Sequence, residues 1–264
     1  MSVAAPGTER LAAAFAGHGK RAALMPYLMG GFPALEESTA AGLAAADAGA
    51  DMLELGVPFS DPLADGPVIH AAATAALAAG ATPHGVLRVC ESLAGRLPVV
   101  LMVYANVVLT TGADAFALRA AAAGASGLIV PDLPSDEAGE LRAACDTEGL
   151  ALVPLVAPTT TDERLAVIGA EARGFVYTVS LTGTTGERDE LPPGLADTVE
   201  RVRAAATLPV AVGFGISTPG HAAAVADVAD GVIVGSRVVR AAGEGGASAV
   251  GELVGRLAAA LSPA

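Results

Sequence analysis

Short apolar runs recur along the chain, and each is followed by an alanine-rich stretch whose polar positions fall at helical spacing. Eight runs have the length and composition of buried strands: Ala22–Met29, Met52–Leu55, Pro98–Tyr104, Gly127–Val130, Ala151–Leu155, Gly174–Val179, Pro209–Val212 and Gly231–Val234. Between them the pattern predicts helices near Leu35–Ala48, Pro83–Ala94, Ala113–Ala123, Ser135–Glu148, Thr161–Glu171, Gly194–Ala206 and Pro219–Val228, with a last one near Ala247–Leu261. Ala71–Ala79 also reads as helix, and Thr8–Gly17 reads as an extra helix ahead of the first strand, placed to close a barrel floor. Strands that are apolar on both faces and separated by helices belong to a buried parallel sheet. Eight such units predict a closed (β/α)8 TIM barrel; an open doubly wound sheet is the alternative. The 264 residues match the roughly 250 of one such barrel, so a single domain over 1–264 is expected.

Composition narrows the chemistry. With 53% hydrophobic residues, 3% aromatics and no Trp, the core must be built from Ala, Val, Leu and Ile. The formal net charge of −13 argues against a nucleic-acid surface, which needs a basic face. It also means that an anionic substrate must be attracted locally, by backbone N–H groups and helix N-termini. The two cysteines, Cys90 and Cys145, lie far apart in predicted helices and fit buried thiols in a reducing cytoplasm. The N-terminal stretch lacks the basic and apolar segments of a signal peptide, and no apolar run is long enough to span a membrane.

Catalytic groups of such barrels follow the strands, at their C-terminal ends. There the second strand carries an ionisable residue: in Asp51-Met-Leu-Glu-Leu-Gly56, alternation that turns Leu53 and Leu55 outward turns Met52 and Glu54 inward. A carboxyl inside a barrel is costly unless paired or used. Glu54 is therefore a candidate acid/base group; the alternative is a buried Glu satisfied by hydroxyls. The following loop, through Pro67, contains Asp61 and Asp65, either of which is able to return to the mouth as a second carboxylate or to cap the next helix.

Glycine-containing stretches follow the last three predicted strands: Thr182–Gly186, Gly213–Ser217 and Gly235-Ser236. Glycines let backbone approach an anion, and a short helix at Ser236–Arg240 would aim its first N–H groups at a phosphate; ordinary tight turns are the alternative. The only lysine, Lys20, precedes the first strand, at the wrong end for Schiff-base chemistry. His18, His70, His84 and His221 do not show metal-ligand spacing, and no metal is expected. Carboxylate chemistry on a phosphorylated substrate is what remains.

The run Leu53–Pro67, with Tyr104-Ala-Asn106, Pro131–Pro134, Gly213–Ser217 and Gly235-Ser236, resembles the signature of tryptophan synthase alpha subunits, and the resemblance extends from about Leu11 to Leu261. It implies retro-aldol cleavage of indole-3-glycerol phosphate to indole and glyceraldehyde 3-phosphate. Glu54 matches the glutamate that moves a proton at indole C3, and Asp65 the aspartate facing the indole N–H. Tyr27, Met102, Tyr104, Ile129, Pro131 and Val156 match positions lining the indole pocket, and Tyr177 a tyrosine close to the substrate. Gly186, Gly213, Phe214, Gly215, Gly235 and Ser236 match the phosphate cradle, and Thr185 a loop threonine that meets the aspartate on closure. The family also implies an α2β2 complex whose PLP belongs to the beta subunit, so no cofactor is expected in this chain. Three positions depart from the commonest pattern: Thr184 stands where Val is usual, Tyr27 where Phe is frequent, and Pro131 where Ala also occurs. Rival readings are a phosphate-binding barrel isomerase and a barrel kept only to activate a beta subunit.

Overall fold

A computed structural model describes residues 5–179, 194–213 and 215–263. The strands are β1 (Ala23–Met29), β2 (Leu53–Gly56), β3 (Val99–Met102), β4 (Gly127–Ile129), β5 (Ala151–Leu152), β6 (Leu155–Val156), β7 (Val176–Val179), β8 (Val210–Gly213) and β9 (Gly231–Val234). The described helices are α1 (Gly7–Gly17), α2 (Leu35–Asp47), α3 (Pro67–Ala78), α4 (Pro83–Ala94), α5 (Ala105–Thr111), α6 (Ala113–Ala122), α7 (Gly139–Glu148), α8 (Asp162–Glu171), α9 (Leu195–Ala205), α10 (Pro219–Ala226) and α11 (Ser236–Ala260).

The described pairings are all parallel, in the order β5-β4-β3-β2-β1-β9-β8-β7-β6. The two ends of that order are halves of one apolar run. Pro154 lacks an N–H and so interrupts the ladder. On one side of the break Val153 N–H donates to Leu128 O at 2.9 Å, and on the other Tyr177 N–H donates to Pro154 O at 3.0 Å. The sheet thereby closes through its own fifth run, and the open-sheet alternative falls.

Alternation sorts the core into two layers. Met52, Val100, Ile129, Val153, Phe175, Tyr177, Ala211 and Ile233 fill the barrel interior. Leu53, Leu55, Leu101, Leu128, Val210 and Val232 pack outward with the helices. The floor is closed by α1: Leu11 is fully buried in the interior cluster, Phe15 packs against Phe175 at 5.4 Å between ring centroids, and Arg10 donates to the carbonyls of Gly124 and Leu97. No helix among the described residues is long and apolar enough to cross a membrane.

Several predicted boundaries move. The third strand stops at Met102; Val103 still donates to Ile129 O at 2.9 Å, but Tyr104 already caps α5, a short helix that its few apolar positions do not announce. The helix expected from Ser135 starts at Gly139, because Pro134 and Ser135 carbonyls accept turn hydrogen bonds from Glu137 and Ala138. The short helix expected at Ser236–Arg240 runs on to Ala260, with Gly246 (φ 59°) kinking it at the predicted start of the last helix.

Candidate active site

Two carboxylates meet above the barrel interior. Glu54 sits in β2 with 1% of its surface exposed, and its Oε1 has no hydrogen-bond partner among the described residues. Burial, with the nearby Asp65 charge second, pushes its carboxyl up to about 8, so it is protonated at neutral pH. Asp65 returns from the β2–α3 loop. Its carboxyl is raised to about 6, chiefly by burial; a hydrogen bond from Tyr104 and the charge of His70 act in the opposite direction. Between these two values Glu54 is an acid and Asp65 is an anion, an acid/base assignment made by environment rather than residue type. Asp61, the competing loop aspartate, is exposed and bonded by the Ser60 hydroxyl.

The Asp65 loop is held by one ring. Tyr104 stacks on Phe59 with centroids 5.3 Å apart, accepts a hydrogen bond from Ala64 N–H at 3.1 Å and donates to the Asp65 carboxylate. Tyr104 in turn leads into α5, whose first N–H, on Ala105, donates to Asp132 Oδ1 at 2.8 Å. The sequence does not reveal this clamp, because it joins residues far apart in the chain and at no regular spacing.

Tyr27 and Tyr177 repeat one arrangement. Tyr27 pairs in register with Glu54, and its hydroxyl leans over Gly56, where any β-carbon would overlap it. Tyr177 pairs with Ala211, and its hydroxyl leans over Gly213 in the same way. Each glycine ends the neighbouring strand, so its missing side chain is what lets a tyrosine cross the mouth. Nothing in the sequence singles out Gly56 for this role. Gly213, which the resemblance matches to the phosphate cradle, also makes room for Tyr177.

Met102 ends β3 and touches both the interior cluster and the cluster around Tyr27, and Ile129 is fully buried in the interior at the end of β4. Pro131 is half-buried and lines a cavity of about 420 Å³ beside the split fifth run, under α7 and α8. Val156 requires a correction. Leu155 pairs with the inward Tyr177 and Val156 with Thr178, so alternation places Leu155 in the interior cluster and Val156 among the outward residues. The pocket-facing residue of this strand is Leu155.

The adjoining stretch of the rim, on β9 beside β1 and on β8, is made of backbone. The C-terminal ends of β8 and β9 are neighbours. Gly215 has φ 79°, a left-handed conformation suited to glycine, and α11 starts at Ser236, directly after Gly235. Val238 and Val239 N–H donate to Gly235 O, while the N–H groups of Ser236 and Arg237 have no acceptor within the helix and lie at its positive end. A β-carbon on Gly235 would meet nothing closer among the described residues than Tyr27 Cβ at 3.9 Å, so it has room over this turn. Thr185, Gly186 and Phe214 lie outside the described residues. Lys20 is engaged at the far end of the barrel, bonding Asp51 at 2.8 Å and Gly49 O at 2.9 Å.

A (β/α)8 barrel that carries a buried carboxyl raised partly by a second carboxylate at its mouth, beside a glycine turn and a helix start, has the layout of a barrel enzyme. The family model "Tryptophan synthase alpha chain" matches residues 14–258. The tryptophan synthase alpha chain of Synechococcus sp. (strain CC9902) is 52% identical over 223 residues, 83% of each chain. That of Gloeobacter violaceus is 49% identical over 244 residues, 90% of this chain and 88% of its own. A structure of Mycobacterium tuberculosis tryptophan synthase superposes with a TM-score of 0.90 at 42% identity, covering 97% of this chain and 99% of that one. The tryptophan synthase subunit alpha of Legionella pneumophila gives 0.87 at 36%, covering 98% and 99%. The chain belongs to the tryptophan synthase alpha chain family and is an enzyme of tryptophan synthesis.

Proposed function

We propose that the chain is a carbon–carbon lyase that cleaves indole-3-glycerol phosphate to indole and glyceraldehyde 3-phosphate. The observation that carries this reading is the inward, buried Glu54, its Oε1 without a partner among the described residues, with Asp65 returned beside it by the β2–α3 loop. Glu54 gives its proton to indole C3, which turns the ring into an electron sink. Asp65 stabilises the positive charge at the ring nitrogen, and an N–H proton it takes goes back to that nitrogen as the C–C bond breaks. The hydroxyl on the side-chain carbon then loses its proton to Glu54, a carbonyl forms, and the C3–carbon bond breaks with its electron pair returning to the ring. Glu54 ends protonated, as it began, and no external oxidant or reductant is needed. Tyr27, Met102, Tyr104, Ile129, Leu155 and Tyr177 wall the indole side. Pro131 at the rim, Thr185 and the cradle of Gly186, Gly213, Phe214, Gly215, Gly235 and Ser236 complete the site. Phosphate contacts remote from the reacting carbon supply positioning energy.

The same reading gives the chain a beta-subunit partner in an α2β2 complex that receives the indole. PLP belongs to that partner, and this chain carries no cofactor of its own. The free, buried Cys90 and Cys145 suit a reducing cytoplasm. An indole-release assay on indole-3-glycerol phosphate, run with and without a beta subunit, tests the reading. Indole formed in both arms, faster with beta, is expected. Stimulation of the beta reaction with no indole release would leave only the activator reading.

A further inference from the structure

Beside the two acids lies a second polar group that the reaction as written leaves idle. The Tyr27 side chain is 5% exposed. Among the described residues its hydroxyl makes one hydrogen bond, to the thioether sulfur of Met29 at 3.9 Å, and sulfur is a weak acceptor. Next to it, in register on β2, Glu54 Oε1 is buried and has no partner among those residues. A buried polar atom without a proper partner costs about 1–3 kcal/mol, and two of them side by side are unusual in a folded core. Both are on inward-facing positions near the barrel mouth. Because the Tyr27 hydroxyl packs over Gly56, two residues beyond Glu54 on the same face, it stands on the mouth side of the carboxyl. Its surroundings include Asp65, Glu54 and Tyr104 as charged or ionisable neighbours, so it overlooks the space that the two acids share.

One ligand group satisfies both atoms: a hydroxyl, which accepts from Tyr27 O–H and donates to the unpartnered Glu54 Oε1. We propose that Tyr27 is a specificity-determining residue whose hydroxyl, paired with Glu54, binds the substrate hydroxyl on the carbon next to the indole ring. The inference rests on the activity proposed above. Phenylalanine at this position would line the pocket equally well but leave that oxygen with one partner fewer. The hydrogen bond from Tyr27 orients the O–H toward Glu54 and assists neither the ring nor the phosphate. It therefore distinguishes substrates with a hydroxyl at that carbon from those without.

The test compares Tyr27→Phe with the parent chain, both with a beta subunit present, on two ligands. One is indole-3-glycerol phosphate, read as kcat/KM for indole release. The other is 3-(indol-3-yl)propyl phosphate, which has the ring and the phosphate but no hydroxyl, read as an inhibition constant. For Tyr27→Phe, kcat/KM is expected to fall about tenfold, within the range of one lost hydrogen bond to a buried partner, while the inhibition constant stays within about twofold. The melting temperature is expected to be unchanged or higher, because the variant removes a poorly satisfied buried donor. Unchanged kcat/KM overturns the inference and leaves the proposed activity standing, as does an equal loss for both ligands, which would mark Tyr27 as general packing. A parent chain that releases no indole under any condition overturns both.

Discussion

Two walls of the barrel mouth, neighbours in the sheet, would on the activity proposed above meet one task, recognition of an anionic aromatic substrate, in opposite materials. The wall on β1 to β3 is built of side chains: Glu54, Tyr27 and Tyr104, with Asp65 brought back by a loop that Tyr104 pins. The wall on β8 and β9 is built of backbone: the Gly215 turn and the start of α11 at Gly235 and Ser236. In a chain with a formal charge of −13, a backbone cradle would attract the phosphate of the proposed substrate by fixed dipoles without placing a cation beside the acids, where it would lower their proton affinity. The acid wall needs the reverse, a site apolar enough to keep Glu54 protonated. Mounting the positive ends of the peptide dipoles on β8 and β9, separated from the Glu54 strand by β1, serves both.

The division of labour is broken most strongly from the acid side. Glu54→Gln keeps the shape of the buried side chain and removes the exchangeable acid; kcat is expected to fall roughly 10³-fold, in the range of a lost general acid/base, with KM little changed. A loss below about tenfold in steady-state indole release would remove Glu54 from the proton path, given the usual size of such a loss. Asp65→Asn is expected to cost about 10²-fold by removing the counter-charge of the ring nitrogen, and it sharpens the comparison through pH. In the parent chain kcat/KM should describe a bell, rising as Asp65 ionises near pH 6 and falling as Glu54 loses its proton near pH 8. In Asp65→Asn the acidic limb should vanish and the alkaline limb should move to lower pH, because the Asp65 charge is one of the two causes that raise Glu54. An alkaline limb that stays in place on the residual activity would show that the two carboxylates are not electrically coupled.

The backbone wall is tested by filling its space. Gly213 is a poor site for this, since a β-carbon there would collide with the Tyr177 hydroxyl and disturb both walls at once. Gly235→Ala adds a methyl over the turn, with Tyr27 Cβ at 3.9 Å its nearest described neighbour. KM is expected to rise about tenfold, as for the loss of one or two hydrogen bonds to a charged group, with kcat nearly retained. An unchanged KM in saturation kinetics would move the phosphate elsewhere.

How far the sequence reveals these walls follows from their materials. Period-two alternation by itself turns Glu54 inward, because a one-residue error would bury Leu53 and Leu55 on the wrong face. The same rule, applied to the fifth run, separates Leu155 from Val156; there the two-residue strands on either side of Pro154 give too short a pattern to set the face, and resemblance alone points to the wrong neighbour. The Tyr104 clamp on Asp65 spans 39 positions of chain, from residue 65 to residue 104, through a stack, a backbone hydrogen bond and a side-chain hydrogen bond. No local periodicity encodes such a contact. The crossings of Tyr27 over Gly56 and Tyr177 over Gly213 are hidden for the same reason: a strand-ending glycine looks alike whether it admits a phosphate, a ring or a turn. Helix ends read best where a side chain caps them, as Thr161 does by accepting from Arg164 N–H at 3.4 Å, and worst at Ser135, where a turn takes up the hydrogen bonds instead.

The smallest expected effect concerns stability, and it follows from the environment that makes the acid wall work. Glu54 has its folded carboxyl raised from 4.5 to about 8, so across that interval the folded chain holds a proton that the unfolded chain has released. Folding then loses stability as pH rises from about 4.5 to about 8, and the loss is complete above the folded value. Glu54→Gln does not titrate and escapes this penalty. The variant and the parent chain should therefore melt at similar temperatures near pH 5, with the variant ahead on the order of 10 °C at about pH 8, given that a chain of this size shifts by about 2–4 °C per kcal/mol. Melting curves recorded across that range give the difference directly. A gap that stays constant with pH would mean that the folded site does not hold Glu54 protonated. The acid wall would then have to begin its reaction from a carboxylate, with Asp65 and not Glu54 as the first proton donor.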